Sequence, residues 1–310
     1  MSEASAPRGG LSDWLGLIRF SHTIFALPFA ALATVFAFAK PLASGAHPAF
    51  RLRDLFGILL CMVLARSAAM AFNRLVDARI DAANPRTAGR HLPAGVFSSK
   101  QVWLFTLLCS LGFVAATAIF LPNWLPLLAS VPVLLFLCGY SLAKRFTAAA
   151  HLWLGVALSL SPICAWVAIR GPESFASPHD LWTPMVLAAA IAAWVTGFDI
   201  IYACQDAEYD AAVGLHSVPA RFGVAGALKI AAGCHLVMLL LLALLPLVAG
   251  TAGVGWLFWA ALLVIAGLVF RQHSLVSPDD LDRVNEAFFD TNATISVLLL
   301  VVGVVDSFWI

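Results

Sequence analysis

Two groups of acidic residues lie at the ends of two apolar stretches, and their spacing suits metal and phosphate chemistry. The first group has members four residues apart: Asn73, Asp77 and Asp81. The second group has offsets of seven and four residues: Asp199, Asp206 and Asp210. On a helix, either spacing places the side chains along one face, so each group is predicted to form a column of oxygen ligands.

Two facing columns of carboxylates would repel each other near a membrane unless cations lay between them. Magnesium takes few protein carboxylates and completes its coordination with water and phosphate oxygens. The two groups therefore predict a site for Mg²⁺ and a diphosphate. The alternative is a solvated helix end whose acids pair with Arg74 and Arg79. It is disfavoured because the chain has only 17 acidic residues and yet contains two such groups.

The elements that position these columns must lie in a membrane. Of 310 residues, 62% are hydrophobic and 11% are charged, and the mean hydropathy is +0.93, which is far from the composition of soluble globular proteins. A net charge of +1, with no basic face, argues against nucleic acid as a partner. We predict an integral membrane protein in contact with the lipid bilayer, in which residues 1–310 form a single domain.

Apolar stretches long enough to cross the hydrocarbon layer recur along the whole chain. They predict an all-α, polytopic membrane protein with about nine transmembrane helices around a central polar cavity. The predicted spans are residues 17–39, 55–76, 102–121, 123–140, 150–169, 182–203, 225–249, 254–270 and 288–309. The break between the third and fourth spans depends on Pro122 and Asn123 alone.

The distribution of basic residues predicts the orientation of the chain. With nine spans, the even-numbered loops share a side with the N-terminus, and most Lys and Arg residues in loops fall on that side. The other side holds Lys40, Arg51, Arg53 and Arg170. By the positive-inside rule, the N-terminus and both acidic groups are predicted to face the cytoplasm.

Arg66 lies seven residues before Asn73, on the same face but about two turns deeper, roughly 10 Å into the span. An Arg at that depth requires a partner. One interpretation pairs Arg66 with Asp199. The favoured interpretation is that Arg66 binds the carboxylate of a small acidic substrate held just inside the metal site.

Tyr140 and Lys144 end the fourth predicted span on one helical face, next to Arg145. Ordinary anchoring at the membrane interface explains such a group. Alternatively, Lys144 or Arg145 binds the diphosphate and the Tyr140 ring stabilises a developing carbocation. The sequence alone does not separate these two interpretations.

These residues together resemble the UbiA superfamily of intramembrane aromatic prenyltransferases. The hallmark of that superfamily is an Asn-x3-Asp-x3-Asp motif paired with an Asp-x3-Asp motif, here Asn73 to Asp81 and Asp206 to Asp210. The resemblance extends from residues 19–28 through the loop 84–93 to residues 217–223, and it is greatest to bacterial 4-hydroxybenzoate polyprenyltransferases of ubiquinone synthesis and their relatives in an alternative menaquinone pathway. In the loop, His91 stands where many relatives have Pro, so its role is left open.

The resemblance implies a role for each matching residue. The implied ligands of magnesium and the diphosphate are Asn73, Asp77, Asp81, Asp206 and Asp210. The implied further diphosphate contacts are Arg86, Arg90, Lys144 and Arg145. Arg66 would face the aromatic carboxylate, Asp199 would lie near the acceptor ring, and the enzyme would reside in the bacterial inner membrane.

The expected reaction is electrophilic aromatic prenylation. Magnesium and basic residues draw on the diphosphate of a polyprenyl diphosphate, the allylic bond ionises, and the ring of an aromatic acid attacks the cation. Asp199 is the candidate general base and Tyr140 the candidate aromatic stabiliser of the cation. The acceptor is expected to be 4-hydroxybenzoate.

Three alternatives to this reaction remain. The first two are prenyltransferases that act on a naphthoate in menaquinone synthesis, or on haem or a chlorin. The third is a secondary transporter, which is disfavoured because transporter sites lie near the midplane of the membrane and the acidic groups here lie at span ends.

Overall fold

The computed structural model describes residues 9–19, 27–177, 179–250 and 254–309, and these are almost entirely α-helical. The helices are α1 Leu11–Leu17, α2 Leu27–Ala39, α3 Leu52–Ala83, α4 Ser99–Thr117, α5 Leu125–Ala143, α6 Ala150–Arg170, α7 Trp182–Ala203, α8 Ala207–Ala212, α9 Val218–Ala249, α10 Trp256–Ser274 and α11 Val284–Trp309. Short 3-10 turns extend α4, α6 and α7.

Eight helices in the described part of the chain are long and apolar enough to cross a membrane: α3 to α7 and α9 to α11. The ninth, α2, is apolar but has only 13 residues. The prediction of about nine spans is therefore confirmed, with one correction at the start. The first span was predicted from residue 17, but Leu17 ends α1 and residues 18–19 form a turn, while residues 20–26, including His22, lie outside the described residues.

Two boundaries matter for the site. The second span was predicted to end at residue 76, but α3 continues to Ala83, so the whole first acidic group lies on one uninterrupted helix. The predicted break before α5 is present and has a clear cause in Asn123. Its amide donates to the Val167 carbonyl (2.9 Å) and its carbonyl accepts from the Leu125 N–H (3.2 Å), which fixes the chain where α5 begins.

Helix α7 is the most deeply buried of the spanning helices, and α5 is the least buried. Around α7 the core is aromatic. The Trp194 ring meets Phe29 of α2 edge to face at a centroid distance of 5.2 Å and Phe198 at 5.0 Å. These arrangements are the ones that aromatic pairs prefer. This packing fixes α7, which carries Asp199 and leads into the turn that bears Asp206.

At the ends of the helices opposite the acidic groups, Arg170 joins three segments. Its guanidinium donates to both carboxylate oxygens of Asp180 (2.9 and 2.7 Å) and to the carbonyls of Ala37 (3.0 Å) and Pro41 (2.9 Å). The indole of Trp166 donates to the same carboxylate at 3.0 Å. The buried charges are thus fully hydrogen-bonded, and the pair stabilises the packing of α2, α6 and the segment before α7.

Replacing one partner of this pair is expected to destabilise the protein strongly. Arg170→Ala leaves Asp180 buried and unpaired, which costs about 3–5 kcal/mol. The thermal midpoint of the detergent-solubilised protein should fall accordingly. Arg53→Ala is the matched control, because the exposed Arg53 lies 3.7 Å from Asp54 and donates one hydrogen bond, to the Leu121 carbonyl at 3.0 Å, and exposed ion pairs contribute about 0–1 kcal/mol. Equal midpoints for the two variants would contradict a stabilising role for Arg170.

Candidate active site

The first acidic group forms the column that its spacing predicts. Asn73, Asp77 and Asp81 follow one another along α3, and the Asn73 amide donates to Asp77 Oδ2 at 3.1 Å. Asp77 is 2% exposed and Asp81 is 3% exposed. Carboxylates buried to this degree require cationic partners.

Asp77 binds two basic residues from the end of α5. Lys144 Nζ lies 2.9 Å from Asp77 Oδ2, and Arg145 Nη2 lies 2.9 Å from Oδ1. Arg145 also donates to the carbonyls of Ser141 (2.8 Å) and Val76 (2.7 Å), which fixes its guanidinium between α3 and α5. The two basic residues that the sequence left ambiguous therefore lie at the acidic column and not at a distant interface.

Asp81 has one strong partner. Arg90, in the loop after α3, donates to Asp81 Oδ1 at 2.7 Å. The other oxygen, Oδ2, lies 3.8 Å from Arg74 Nη1 and accepts no hydrogen bond within the described residues. The column therefore contains a buried carboxylate oxygen that is free to bind a further cation.

The second acidic group is held by the loop that follows the first. Arg86 donates to Asp206 Oδ1 from Nε at 2.8 Å and to Oδ2 from Nη2, which is a two-pronged pair. The Asn84 amide adds a hydrogen bond to Asp206 Oδ1 at 3.0 Å. The loop thus connects both groups, with Arg90 on Asp81 and Arg86 on Asp206.

The single helical face predicted for the second group is wrong. Helix α7 ends at Ala203, and Cys204–Asp206 form a 3-10 turn before α8 begins. The seven-residue step from Asp199 to Asp206 therefore crosses a change of helix type. Asp206 and Asp210 both lie beyond α7, at the end of the 3-10 turn and in α8. Between them, the Tyr209 hydroxyl donates to the Ile80 carbonyl of α3 at 2.9 Å and so links the two acidic groups.

Basic side chains occupy the space between the two groups. Lys144, bound to Asp77, also interacts electrostatically with Asp210, and Arg90, bound to Asp81, interacts with Asp206. Within the described residues, no three Asp, Glu, His or Cys side chains converge as a ready-made metal centre. The five predicted ligands are therefore not preassembled around one point.

This arrangement nevertheless fits Mg²⁺ bound together with a diphosphate. Magnesium uses one or two carboxylates and keeps its other positions for water and phosphate oxygens. The free Oδ2 of Asp81 and the neighbouring carboxylates of Asp77 and Asp206 supply hard oxygen ligands, and the Lys and Arg side chains beside them suit phosphate oxygens. These acids are the residues that would hold the metal.

An apolar cavity of about 390 Å³ lies between α3, α4, α5 and α6. Arg66 and Tyr140 line the end of the cavity nearest the acidic groups, and Phe120, Leu125 and Phe175 line the opposite end. The wall between them is mainly aliphatic and aromatic. A central polar cavity was predicted, but the cavity is mainly apolar, with a polar region at the end where Arg66 and Tyr140 lie.

Among the described residues that line this cavity, Arg66 alone carries a guanidinium. Its Nε is buried and has no hydrogen-bond partner, and Arg66 makes no ion pair within the described residues. The alternative partner, Asp199, instead contacts the ring of His151 at 2.7 Å. A half-buried cation without an anion, facing an apolar cavity, is the environment that a substrate carboxylate would complete.

Asp199 lies near this cavity but does not line it. The His151 that holds it precedes the lining residue Leu154 by three residues on α6, which is about 4.5 Å along the helix toward the acidic groups. The structure therefore places Asp199 between the cavity and the acidic groups.

The position of His91 points to a structural role. Its ring stacks on Phe97 at 6.1 Å between centroids, and the ring lies 3.0 Å from where a Cβ on Gly16 would be. Burial lowers the pKa of His91, so its ring is neutral at neutral pH. The contact between His91 and Gly16 packs α1 against the loop that carries Arg86 and Arg90.

Sequence reasoning missed three residues that hold the site. Asn84 was seen only as part of the loop 84–93, Arg74 only as a partner of acids at a solvated helix end, and His151 was given no role. Asn84 and His151 act on acids far away in the chain, so no local spacing reveals them, whereas Arg74 lies on the same helix as its partner Asp81. The signal that was available for Arg74 is its position three residues before Asp77 inside an apolar helix.

Comparison with known proteins gives a consistent result. The model of the UbiA prenyltransferase family matches residues 29–298. A 4-hydroxybenzoate octaprenyltransferase of Nitrosomonas eutropha is 33% identical over 244 residues, which cover 77% of this chain and 79% of that protein. One from Neisseria meningitidis is 32% identical over 232 residues, which cover 74% of this chain and 71% of that protein.

Solved structures agree in fold. An apo UbiA homologue from Aeropyrum pernix superposes with a TM-score of 0.79 at 30% identity, covering 92% of this chain and 97% of that one. A UbiA homologue from Archaeoglobus fulgidus, bound to DMAPP and Mg²⁺, has a TM-score of 0.71 at 19% identity, covering 95% and 99%. The second likeness is one of fold alone.

Proposed function

Because the chain belongs to the UbiA prenyltransferase family, we propose that it transfers a polyprenyl group from an allylic polyprenyl diphosphate to 4-hydroxybenzoate, as in ubiquinone biosynthesis. The observation that carries the proposal is the unpaired Arg66 at the end of an apolar cavity, next to a cluster of carboxylates and basic residues. One chamber thus offers a site for each part of the two substrates. The relatives named for this acceptor support the choice.

The basic residues of the site bind the diphosphate in this proposal: Arg86, Arg90, Lys144 and Arg145. In the structure each already neutralises an acid, so they are held in place before the substrate arrives. Asp77, Asp81, Asp206 and Asp210, with Asn73, would hold Mg²⁺. When bound, the metal supplies positive charge that stabilises the departing diphosphate.

The polyprenyl tail occupies the apolar cavity. Arg66 binds the carboxylate of the acceptor at the end of the cavity nearest the acidic groups. The allylic carbon–oxygen bond breaks and its electron pair leaves with the diphosphate. A ring carbon of the acceptor then forms a bond to the allylic carbon, and Asp199 takes the proton that the ring loses. The cavity excludes water, which would otherwise capture the cation, and Tyr140 faces the cation with its ring.

We further propose that the N-terminus and the acidic groups face the cytoplasm of a bacterial inner membrane. The basic residues of the site and of the neighbouring loops support this orientation, because positively charged loops are retained in the cytoplasm. Diphosphates and hydroxybenzoate are polar compounds that reach the site from that side.

Removing divalent metal is expected to abolish turnover. Membranes that contain the protein are supplied with a polyprenyl diphosphate and, in parallel, 4-hydroxybenzoate, a naphthoic acid and an uncarboxylated phenol. Prenylation of 4-hydroxybenzoate that stops with EDTA and returns with Mg²⁺ supports the proposal, because the metal's charge stabilises the leaving group. Selective use of the naphthoate would move the enzyme to menaquinone synthesis. Absence of diphosphate release with every acceptor would reject the enzyme and favour a transporter.

A further inference from the structure

We infer that His151 is a positioning residue that orients the Asp199 carboxylate toward the acceptor. The inference rests on the proposed function, in which Asp199 takes the ring proton. It concerns a residue on α6 that no sequence motif indicates. The argument depends on the hydrogen bonds of the imidazole and on the packing of α6 against α7.

The imidazole of His151 and the Asp199 carboxylate form a close pair. Nδ1 of His151 lies 2.7 Å from Oδ2 of Asp199. The His151 side chain is 8% exposed, whereas that of Asp199 is 25% exposed. The imidazole is therefore buried behind the carboxylate, and the carboxylate keeps an accessible side.

A second hydrogen bond fixes which nitrogen of His151 carries the proton. The backbone N–H of Val218, at the start of α9, donates to His151 Nε2 at 3.3 Å. A backbone N–H can only donate, so Nε2 accepts and the neutral ring carries its proton on Nδ1. His151 thus donates to Asp199 Oδ2 and leaves Oδ1 free to meet a substrate.

Helix packing does not explain the presence of a histidine here. One turn further along α6, a Cβ on Gly155 would lie 2.4 Å from the Ala192 carbonyl oxygen and 2.5 Å from Thr196 Oγ1 of α7. This close approach already locks α6 against α7, and the Thr196 hydroxyl is satisfied by the Ala192 carbonyl at 2.6 Å. The hydrogen bonds of His151 therefore act mainly on Asp199.

The His151–Asp199 pair lies where a base for the acceptor ring is required. It is next to the end of the cavity where Arg66 would hold the acceptor carboxylate, and Asp210 is the other acid that interacts electrostatically with His151. A carboxylate that is free to rotate could turn toward the basic residues of the diphosphate site. Holding Oδ2 prevents this rotation and aims Oδ1 at the acceptor ring.

His151→Leu and His151→Asn separate positioning from packing. Leu fills the space but donates no hydrogen bond. Asn places an amide N–H near the position of Nδ1 and so keeps the bond to Asp199, while it loses the bond from Val218. We expect His151→Leu to lower kcat about 100-fold with unchanged KM for the polyprenyl diphosphate. We expect His151→Asn to recover most of kcat.

His273→Leu is the matched control, because it removes a histidine at the end of α10 whose partner at 2.8 Å is another histidine, His235 of α9, and not a carboxylate. It should leave kcat unchanged. The double variant with Asp199→Asn should be no slower than Asp199→Asn alone, since His151 acts through Asp199.

Several outcomes would overturn the inference. They are an Asn variant as slow as the Leu variant, a loss confined to the KM of the diphosphate, additive effects in the double variant, or an Asp199→Asn protein of normal activity. In each of these cases the unmutated protein still transfers the prenyl group, so the proposed function stands and only the role of His151 is rejected. Failure of the proposed function appears instead as an unmutated protein without prenyl transfer. Thermal midpoints confirm that the Leu and Asn variants are equally folded.

Discussion

Asp77→Asn is expected to reduce prenyl transfer about 10³-fold, because it removes one negative charge from the centre of the diphosphate site. Asp77 is the acid that both Lys144 and Arg145 contact, each at 2.9 Å, while Asn73 donates to it at 3.1 Å. The Asn side chain has nearly the shape of Asp and keeps one oxygen that accepts hydrogen bonds. The loss of activity therefore measures the effect of the negative charge and of metal binding. Turnover of polyprenyl diphosphate and 4-hydroxybenzoate by purified protein measures it.

Asp282→Asn is the matched control for Asp77→Asn. It makes the same chemical change at an exposed position in the segment before α11, and normal turnover is expected. Circular dichroism and the thermal midpoint test whether the Asp77 variant is folded, since two half-buried basic residues lose their counter-charge. Near-normal turnover in folded Asp77→Asn protein would contradict the assignment of Asp77 to the metal.

A double variant separates two explanations for the loss. If Asp77 only neutralises its basic partners, then Asp77→Asn combined with Lys144→Met should recover part of the activity, because only Arg145 then lacks its carboxylate. If Asp77 binds Mg²⁺ and Lys144 binds the diphosphate, the double variant should be slower than either single variant. We expect the second result, because Lys144 interacts with acids of both groups and so lies between them.

The first acidic group was predictable because its geometry is local. Residues four apart on a continuous helix share a face whatever surrounds them, and α3 continues through Ala83, so the column formed by Asn73, Asp77 and Asp81 is present. The lengths of the apolar stretches similarly predicted about nine membrane helices. In both cases, neighbouring residues in the sequence determine the result.

The second acidic group shows where this reasoning fails. The same periodicity does not reveal that α7 ends at Ala203 and that a 3-10 turn, Cys204–Asp206, follows it. The break coincides with contacts from far along the chain, namely Arg86 and Asn84 on Asp206 and the Tyr209 hydroxyl on Ile80. Such tertiary contacts override helix periodicity, and single-sequence patterns do not contain them.

The alternative interpretation, in which Arg66 pairs with Asp199, is not what the structure shows, and the reason is similar. Arg66 and Asp199 were the two unpaired charges deepest in their spans, so their mutual pairing was a reasonable alternative. The structure gives Asp199 a neutral partner, His151, whose remoteness in the sequence hides it. Because Asp199 is bonded to His151, Arg66 is left for a ligand, and its pairing with a substrate carboxylate, which the sequence already favoured, stays a prediction.

Arg66→Ala is expected to raise the KM for 4-hydroxybenzoate about 100-fold, which is the loss expected when a charged hydrogen-bonded pair of about 2–3 kcal/mol is removed. Prenylation of an uncarboxylated phenol should be unchanged or improved, since that acceptor offers no anion to the buried guanidinium. Parallel kinetics with the two acceptors at saturating polyprenyl diphosphate measure this difference.

Arg66→Lys and Arg79→Ala complete the test. Lys retains the charge but lacks the planar fork that binds both oxygens of a carboxylate, so we expect an intermediate KM. Arg79 is exposed on the same helix, and its removal should leave both acceptors unaffected. If Arg66→Ala instead lowers kcat equally for both acceptors, Arg66 acts on the diphosphate or the cation. The acceptor carboxylate would then be bound elsewhere, because within the described residues no other guanidinium lines the cavity.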